Sequence, residues 1–119
     1  MIRVQQEDTD GCGVACLAML GGVDYVTVRG DFPELRAGGL SEVEVLHWLN
    51  ERGWWYRRWW VQAPVEPLAP LALAMVKEGK GGHWVIVQDG AVVDPARPQA
   101  PPLASYSVFK WIELWRPGT

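Results

Sequence analysis

The segment that most restricts the fold is HWVIVQDGAVVDP, residues 83–95. Two apolar, β-branched runs flank Asp89-Gly90, a dipeptide that accepts the left-handed dihedrals of a two-residue hairpin turn. Such a turn fixes register, setting Gln88 opposite Ala91, Val85 opposite Asp94 and His83 opposite Ala96. Cross-strand partners share a face, as do alternate residues along one strand. His83 and Asp94 therefore project from one face as diagonal neighbours, roughly 7–8 Å apart, a gap that side chains bridge. A carboxylate against one imidazole nitrogen fixes the tautomer and leaves the other nitrogen free as a base. Taken singly, a histidine at a strand start usually packs, and an Asp before Pro usually closes a turn. The two on one face are a geometry for catalysis.

The rest of the chain divides around this hairpin. Gly11–Leu20 reads as a first helix, with Thr9 or Asp10 to cap it and Gly21-Gly22 to stop it. DYVTVR, opened by Asp24, suits a short helical turn or a strand, and FPELRAGG is loop-like. LSEVEVLHWLNERG is the clearest helix, with a capping box from Ser41 and Glu44 and Gly53 at its C-terminus. Beyond Gly53 the pattern becomes extended. WWYRRWWV reads as a strand, PVEPLAP as a proline-rich connection, ARPQAPP as a loop and YSVFKWIELW as a last strand. LALAMV is too short for periodicity to separate strand from helix. The glycine pairs beginning at 21, 38 and 81 read as turns, and His47 as a surface or boundary residue. Helices precede strands, so the expected fold is α+β, with N-terminal helices packed on an antiparallel β-sheet.

A chain of 119 residues is expected to form a single domain over 1–119. Its net charge of -3 argues against a dedicated nucleic-acid binder. No apolar run is long enough to span a bilayer, and no secretory signal opens the chain, so a cytoplasmic setting is expected. Cys12 and Cys16 lie one helical turn apart, where a disulfide is strained, and only His47 and His83 are available to complete a metal site. No disulfide, metal or organic cofactor is expected.

The two cysteines differ in position. Cys12 falls in the first turn of a helix, where the positive end of the helix dipole favours a thiolate, and a nearby imidazolium adds to that effect. Cys16, on an apolar helix, is a core residue. Gly11 and Gly13 leave space beside the thiol. With Trp84, next to the histidine, they are the expected substrate-binding positions. Gln6 lies six residues before Cys12 in a segment that must fold back to enter the helix. Its amide is placed to donate to the oxyanion formed when a thiolate attacks a carbonyl.

With QEDTDGCGVACLAML near one end, GHWVIV and VVDPA far along the chain and GGLSEVEVLHWLNERGW between them, the sequence resembles the C39 family of papain-like cysteine peptidases. The likeness extends over most of the chain. It implies a papain-like fold and cleavage of leader peptides after a Gly-Gly pair, in domains that usually precede a peptide-exporting ABC transporter. By position, it makes Cys12 the nucleophile, His83 the general base, Asp94 the orienting acid and Gln6 the oxyanion donor. The sequence departs from the family at Gly11, where an Asp often precedes the cysteine, and in the tightness of its hairpin.

A peptide or protein is the expected partner. The same residues serve other acyl transfers, namely deamidation, isopeptide cleavage or transglutamination. A different class of protein also remains open: a catalytically silent module that binds a peptide or protein through WWYRRWW, whose alternation puts tryptophan and arginine on both faces.

Overall fold

The computed structural model describes residues 1–59 and 70–117. Helix α1 spans Cys12–Gly21, α2 Tyr25–Asp31 and α3 Glu42–Glu51. Every residue from Cys12 to Leu20 is buried, as expected of a helix that is apolar all round. It starts one residue later than the sequence suggests. Gly11 occupies the N-cap position, and no side chain caps it, so neither Thr9 nor Asp10 plays that part. A turn closed by the Gly11 N–H on the Asp8 carbonyl (3.0 Å) delivers the chain into the helix instead. Gly22, at φ 65°, ends it.

The ambiguous DYVTVR segment is helical in α2. Tyr25 and Val28, one turn apart, are buried there, while Val26 is 70% exposed. Packing on one face outweighs the modest helix penalty of β-branched residues. In α3 the capping box forms as expected: the Ser41 hydroxyl accepts from the Glu44 N–H, and the Glu44 carboxylate accepts from the Ser41 N–H. At its other end Trp54 N–H reaches the Leu49 carbonyl and Gly53 N–H the Asn50 carbonyl, with Gly53 at φ 85°. This is a Schellman ending, which requires a residue at ease in the left-handed region.

Strands β1 Trp55–Trp59, β2 Leu71–Glu78, β3 Gly81–Gln88, β4 Ala91–Val93 and β5 Val108–Trp115 form one sheet of order β1-β5-β2-β3-β4, each pair antiparallel. Trp60, Val61 and all of PVEPLAP except Pro70 lie outside the described residues. LALAMV is strand. It occupies an inner position, and Ala72, Leu73 and Ala74 are fully buried, one side chain after another. A strand covered on both faces loses the polar alternation that would have revealed it.

Both faces of the sheet are covered. Leu73, Trp84, Ile86, Ile112 and Leu114 pack with the apolar residues of α1 and α3. Ala72, Ala74, Val76, Val85, Val87, Val108 and Trp111 form a second cluster with Leu103 and Tyr106, around a 3-10 turn at Leu103–Ser105. The described fold is thus α+β, three helices on an antiparallel five-stranded sheet, as expected. Among the described residues, no single helix is long and apolar enough to cross a membrane.

Candidate active site

The hairpin has the register its sequence dictates: Gln88 pairs with Ala91, Val87 with Val92 and Ile86 with Val93. Asp89 (φ 51°) and Gly90 (φ 84°) take the left-handed turn positions. The ladder stops at Val93, short of the further pairs expected for Val85 and His83, because Asp94 bridges to Arg97 instead. The side chains still meet, with His83 Nε2 lying 2.7 Å from Asp94 Oδ1.

Asp94 is fully buried and heavily partnered. Oδ1 also accepts from the Ala96 N–H (2.8 Å), and Oδ2 accepts from Arg97 Nη1 (2.9 Å) and the Tyr106 hydroxyl (2.8 Å). Its backbone carbonyl accepts from Arg3 Nε at 2.8 Å. Burial alone would push this carboxyl up. Hydrogen bonds from His83, Ala96 and Tyr106 outweigh burial and hold it well below the usual carboxylate range. His83, also buried, shows the reverse balance. Burial opposes its charge, but hydrogen bonds with Asp94 and Cys12 raise it to about 9.

Cys12 is the first residue of α1, 8% exposed, and its Sγ accepts the Trp84 N–H at 3.4 Å. With Nε2 on Asp94, Nδ1 is the ring nitrogen left for the thiol. The structure thus brings Cys12, His83 and Asp94 together from α1, β3 and the end of β4. First-turn N–H groups of a helix have no intrahelical acceptor, so the amides around Cys12 are natural donors to an anion. Cys16 is fully buried, its Sγ 3.6 Å from the Trp84 carbonyl, and burial pushes its thiol well above the ordinary range.

Gln6 lies in the turn leading into α1. Its backbone N–H donates to the Pro95 carbonyl (2.9 Å), tying this segment to the residue after Asp94. Its side-chain Nε2 donates to the carbonyls of Asp8 and Thr9, both at 3.1 Å, while Oε1 is buried without a partner. Both amide hydrogens are therefore engaged within the turn.

Gly11, Gly13 and Trp84, the expected substrate-contact positions, are closely surrounded by the protein's own side chains. A Cβ on Gly11 would lie 1.9 Å from the Tyr25 hydroxyl, and one on Gly13 would lie 3.2 Å from both Leu40 and Trp84 side chains. The space at these glycines is filled by the protein itself. Trp84 is 1% exposed, its indole N–H on the Leu40 carbonyl at 3.2 Å, so its ring is packed in the core. The Tyr25 hydroxyl in turn donates to Asp8 Oδ2 at 2.6 Å, bracing the turn that delivers Cys12.

Tyr106, Arg97 and Glu78 were not singled out by the sequence. Glu78 Oε2 lies 3.5 Å from His83 Nδ1. A signal for it existed: a two-residue turn at Gly79-Lys80 pairs Val76 with His83 and puts Glu78 on the same face. It is legible only once LALAMVKE is known to be a strand. His47 is exposed and 3.3 Å from Glu51 on its own helix. Among the described residues, no group of three or more His, Cys, Asp or Glu is placed to hold a metal ion.

The α+β fold, three helices on an antiparallel five-stranded sheet, is one that this chain shares with solved peptidase domains. Among solved structures, the chain superimposes on the peptidase domain of Streptococcus ComA, a bi-functional ABC transporter involved in a quorum sensing pathway. The TM-score is 0.68 and identity 17%, covering 96% of this chain and 97% of that one. A double glycine motif protease from an AMS/PCAT transporter, in complex with the leader peptide, gives a TM-score of 0.71 at 17% identity, covering 97% and 91%. The peptidase domain of Streptococcus mutans ComA gives 0.63 at 20% identity, covering 95% and 98%. No protein-family model and no curated protein matches the sequence.

Proposed function

We propose that this chain is a C39-type cysteine peptidase that hydrolyses a peptide bond through Cys12. The observation carrying this reading is the His83 ring, fixed by Asp94 on Nε2, beside Cys12 at the start of α1, whose Sγ accepts the N–H of Trp84, the next residue along β3. In the proposed reaction the Cys12 thiolate attacks the carbonyl carbon, and the Cys12 backbone N–H and Gln6 stabilise the oxyanion. Gln6 joins by exchanging its bond to Asp8 or Thr9 for one to the oxyanion. His83 then gives its proton to the leaving amine, and water, deprotonated by the same ring, releases the acyl group. Asp94 keeps the ring oriented throughout. No metal or organic cofactor takes part.

The proposed substrate is a peptide cut after a Gly-Gly pair, in keeping with the double glycine motif and leader peptide named for a solved structure of this fold. Residues 1–119 act as one domain in this proposal, in the cytoplasm, where reducing conditions suit two free buried thiols. The test is incubation with a synthetic leader peptide carrying Gly-Gly before a cargo segment, read by mass spectrometry. Scission after Gly-Gly that Cys12→Ala abolishes is expected. A one-dalton gain or a cross-link instead would replace hydrolysis with deamidation or transglutamination. A cut elsewhere would remove the Gly-Gly specificity, and an intact peptide would sink the reading.

A second reading has its own observation. Trp55 is 58% and Trp115 42% exposed, on neighbouring strands with ring centroids 6.5 Å apart. Exposed tryptophans near arginines suit a protein-binding module. If Cys12→Ala preserved biological activity while Trp55→Ala removed it, binding would be the function.

A further inference from the structure

The carboxylate of Glu78 faces the half of the His83 ring that the Asp94 contact leaves open. Four side chains close a ring of alternating charge. Asp94 Oδ1 meets His83 Nε2 at 2.7 Å, and His83 Nδ1 meets Glu78 Oε2 at 3.5 Å. Glu78 Oε1 meets Arg97 Nη2 at 2.9 Å, and Arg97 Nη1 returns to Asp94 Oδ2 at 2.9 Å. Each carboxylate gives one oxygen to the imidazole and the other to the guanidinium. Arg97, a planar fork, holds the two acids at a fixed spacing.

The backbone imposes this arrangement. Glu78 ends β2 and pairs with Gly81 across a two-residue turn, so Glu78, Val76 and His83 share one face. Glu78 and His83 are then diagonal neighbours, the same relation that joins His83 to Asp94 across the other hairpin. β3 therefore receives a carboxylate from each side, one fully buried and one 44% exposed at the rim.

We infer that Glu78 is a positioning residue for His83, holding its Nδ1 side toward Cys12 and stabilising the protonated ring. This rests on the peptidase reading, in which Nδ1 passes the proton. With two carboxylates and one guanidinium, the ring of side chains is electrically neutral only when His83 carries its proton. Other groups act on the same centre: Cys12 and Cys16 from α1, Tyr106 on Asp94 Oδ2, and Arg3 on the Asp94 carbonyl. Among the described residues, Glu78 is the one that sets a carboxylate oxygen against Nδ1.

The experiment follows the His83 ring by NMR across pH in the full chain, with His47→Gln removing the only other histidine signal. Iodoacetamide alkylation of Cys12 is measured in parallel. Glu78→Gln, a rim substitution, is expected to lower the His83 midpoint by about half to one unit, a roughly three- to tenfold loss of proton affinity. The alkylation profile should move the same way. A midpoint unchanged within about 0.2 units overturns the role of Glu78, since one unit is the scale of a single good charge contact. His83→Gln separates the two claims. If it alters Cys12 alkylation while Glu78→Gln does not, only the Glu78 inference fails. If neither alters it, the activated-cysteine reading fails as well.

Discussion

The two edges of the sheet handle polar and apolar side chains in opposite ways. At the β4 edge the strand is short, and the acid that follows it, Asp94, is fully buried. At the β1 edge, Trp55 and Tyr56 stand 58% and 41% exposed, and Trp115 on β5 beside them 42%. Arg57 stacks over Trp59, and Arg116 over Trp54. Transfer energies alone would bury the tryptophans and expose the aspartate. Partner supply reverses the order, because a carboxylate with several charged or aligned donors can leave water, whereas an edge strand has only one neighbour to cover it. Burial at the β4 edge is therefore bought with hydrogen bonds, and the aromatic edge is left open as surface.

The largest test of this contrast is Asp94→Asn, which leaves His83 and Arg97 without their buried counter-charge. It should lower stability by about 3–5 kcal/mol, read as a shift in urea midpoint at constant slope. A cost below that of removing an exposed tryptophan would break the comparison.

The pH dependence comes next. His83 is raised in the folded chain to about 9, above its ordinary value. Its pairing therefore contributes fully below a pH of roughly 6.5 and is lost as pH rises through about 9, a change on the order of 1–3 kcal/mol. His83→Gln should flatten that alkaline slope, while Trp55→Ala should retain it. Denaturant melts at several pH values distinguish the two.

Gly11→Ala sharpens the contrast within the site edge, since its Cβ would meet the Tyr25 hydroxyl at 1.9 Å. Overpacking of about 1–2 kcal/mol is expected, with Tyr25→Phe recovering part of it in the double variant. Additive losses would mean that the hydroxyl is not what excludes a side chain there. Smallest of all, Trp55→Ala and Trp115→Ala should each cost under about 1 kcal/mol, the scale of a cross-strand aromatic pair. Their thermal midpoints should stay within a few degrees of the parent.

Some of this molecule was open to reading because the deciding forces are local. Asp89-Gly90 needs left-handed dihedrals, and the turn then sets which residues oppose one another. Ser41 and Glu44 cap a helix across three residues, and Gly53 closes its far end. Such features made His83 and Asp94 neighbours and put Cys12 at a helix start. LALAMV resisted because a strand buried on both faces has no alternation to display. The helix entry resisted too, since the Asp8–Gly11 turn, braced by the Tyr25 hydroxyl, delivers the chain into α1 with no capping side chain.

The sequence by itself determined the hairpin at Asp89-Gly90, the capped third helix and the chemistry available to Cys12, His83 and Asp94. These rest on dihedral preferences and contacts a few residues apart. Only the tertiary structure decided the strand order that sets β5 between β1 and β2, and the filling of Gly11 and Gly13 by Tyr25, Leu40 and Trp84. It also decided the closed ring through Glu78 and Arg97. Those depend on segments distant in the chain competing for the same space and the same donors, and no local preference encodes the outcome.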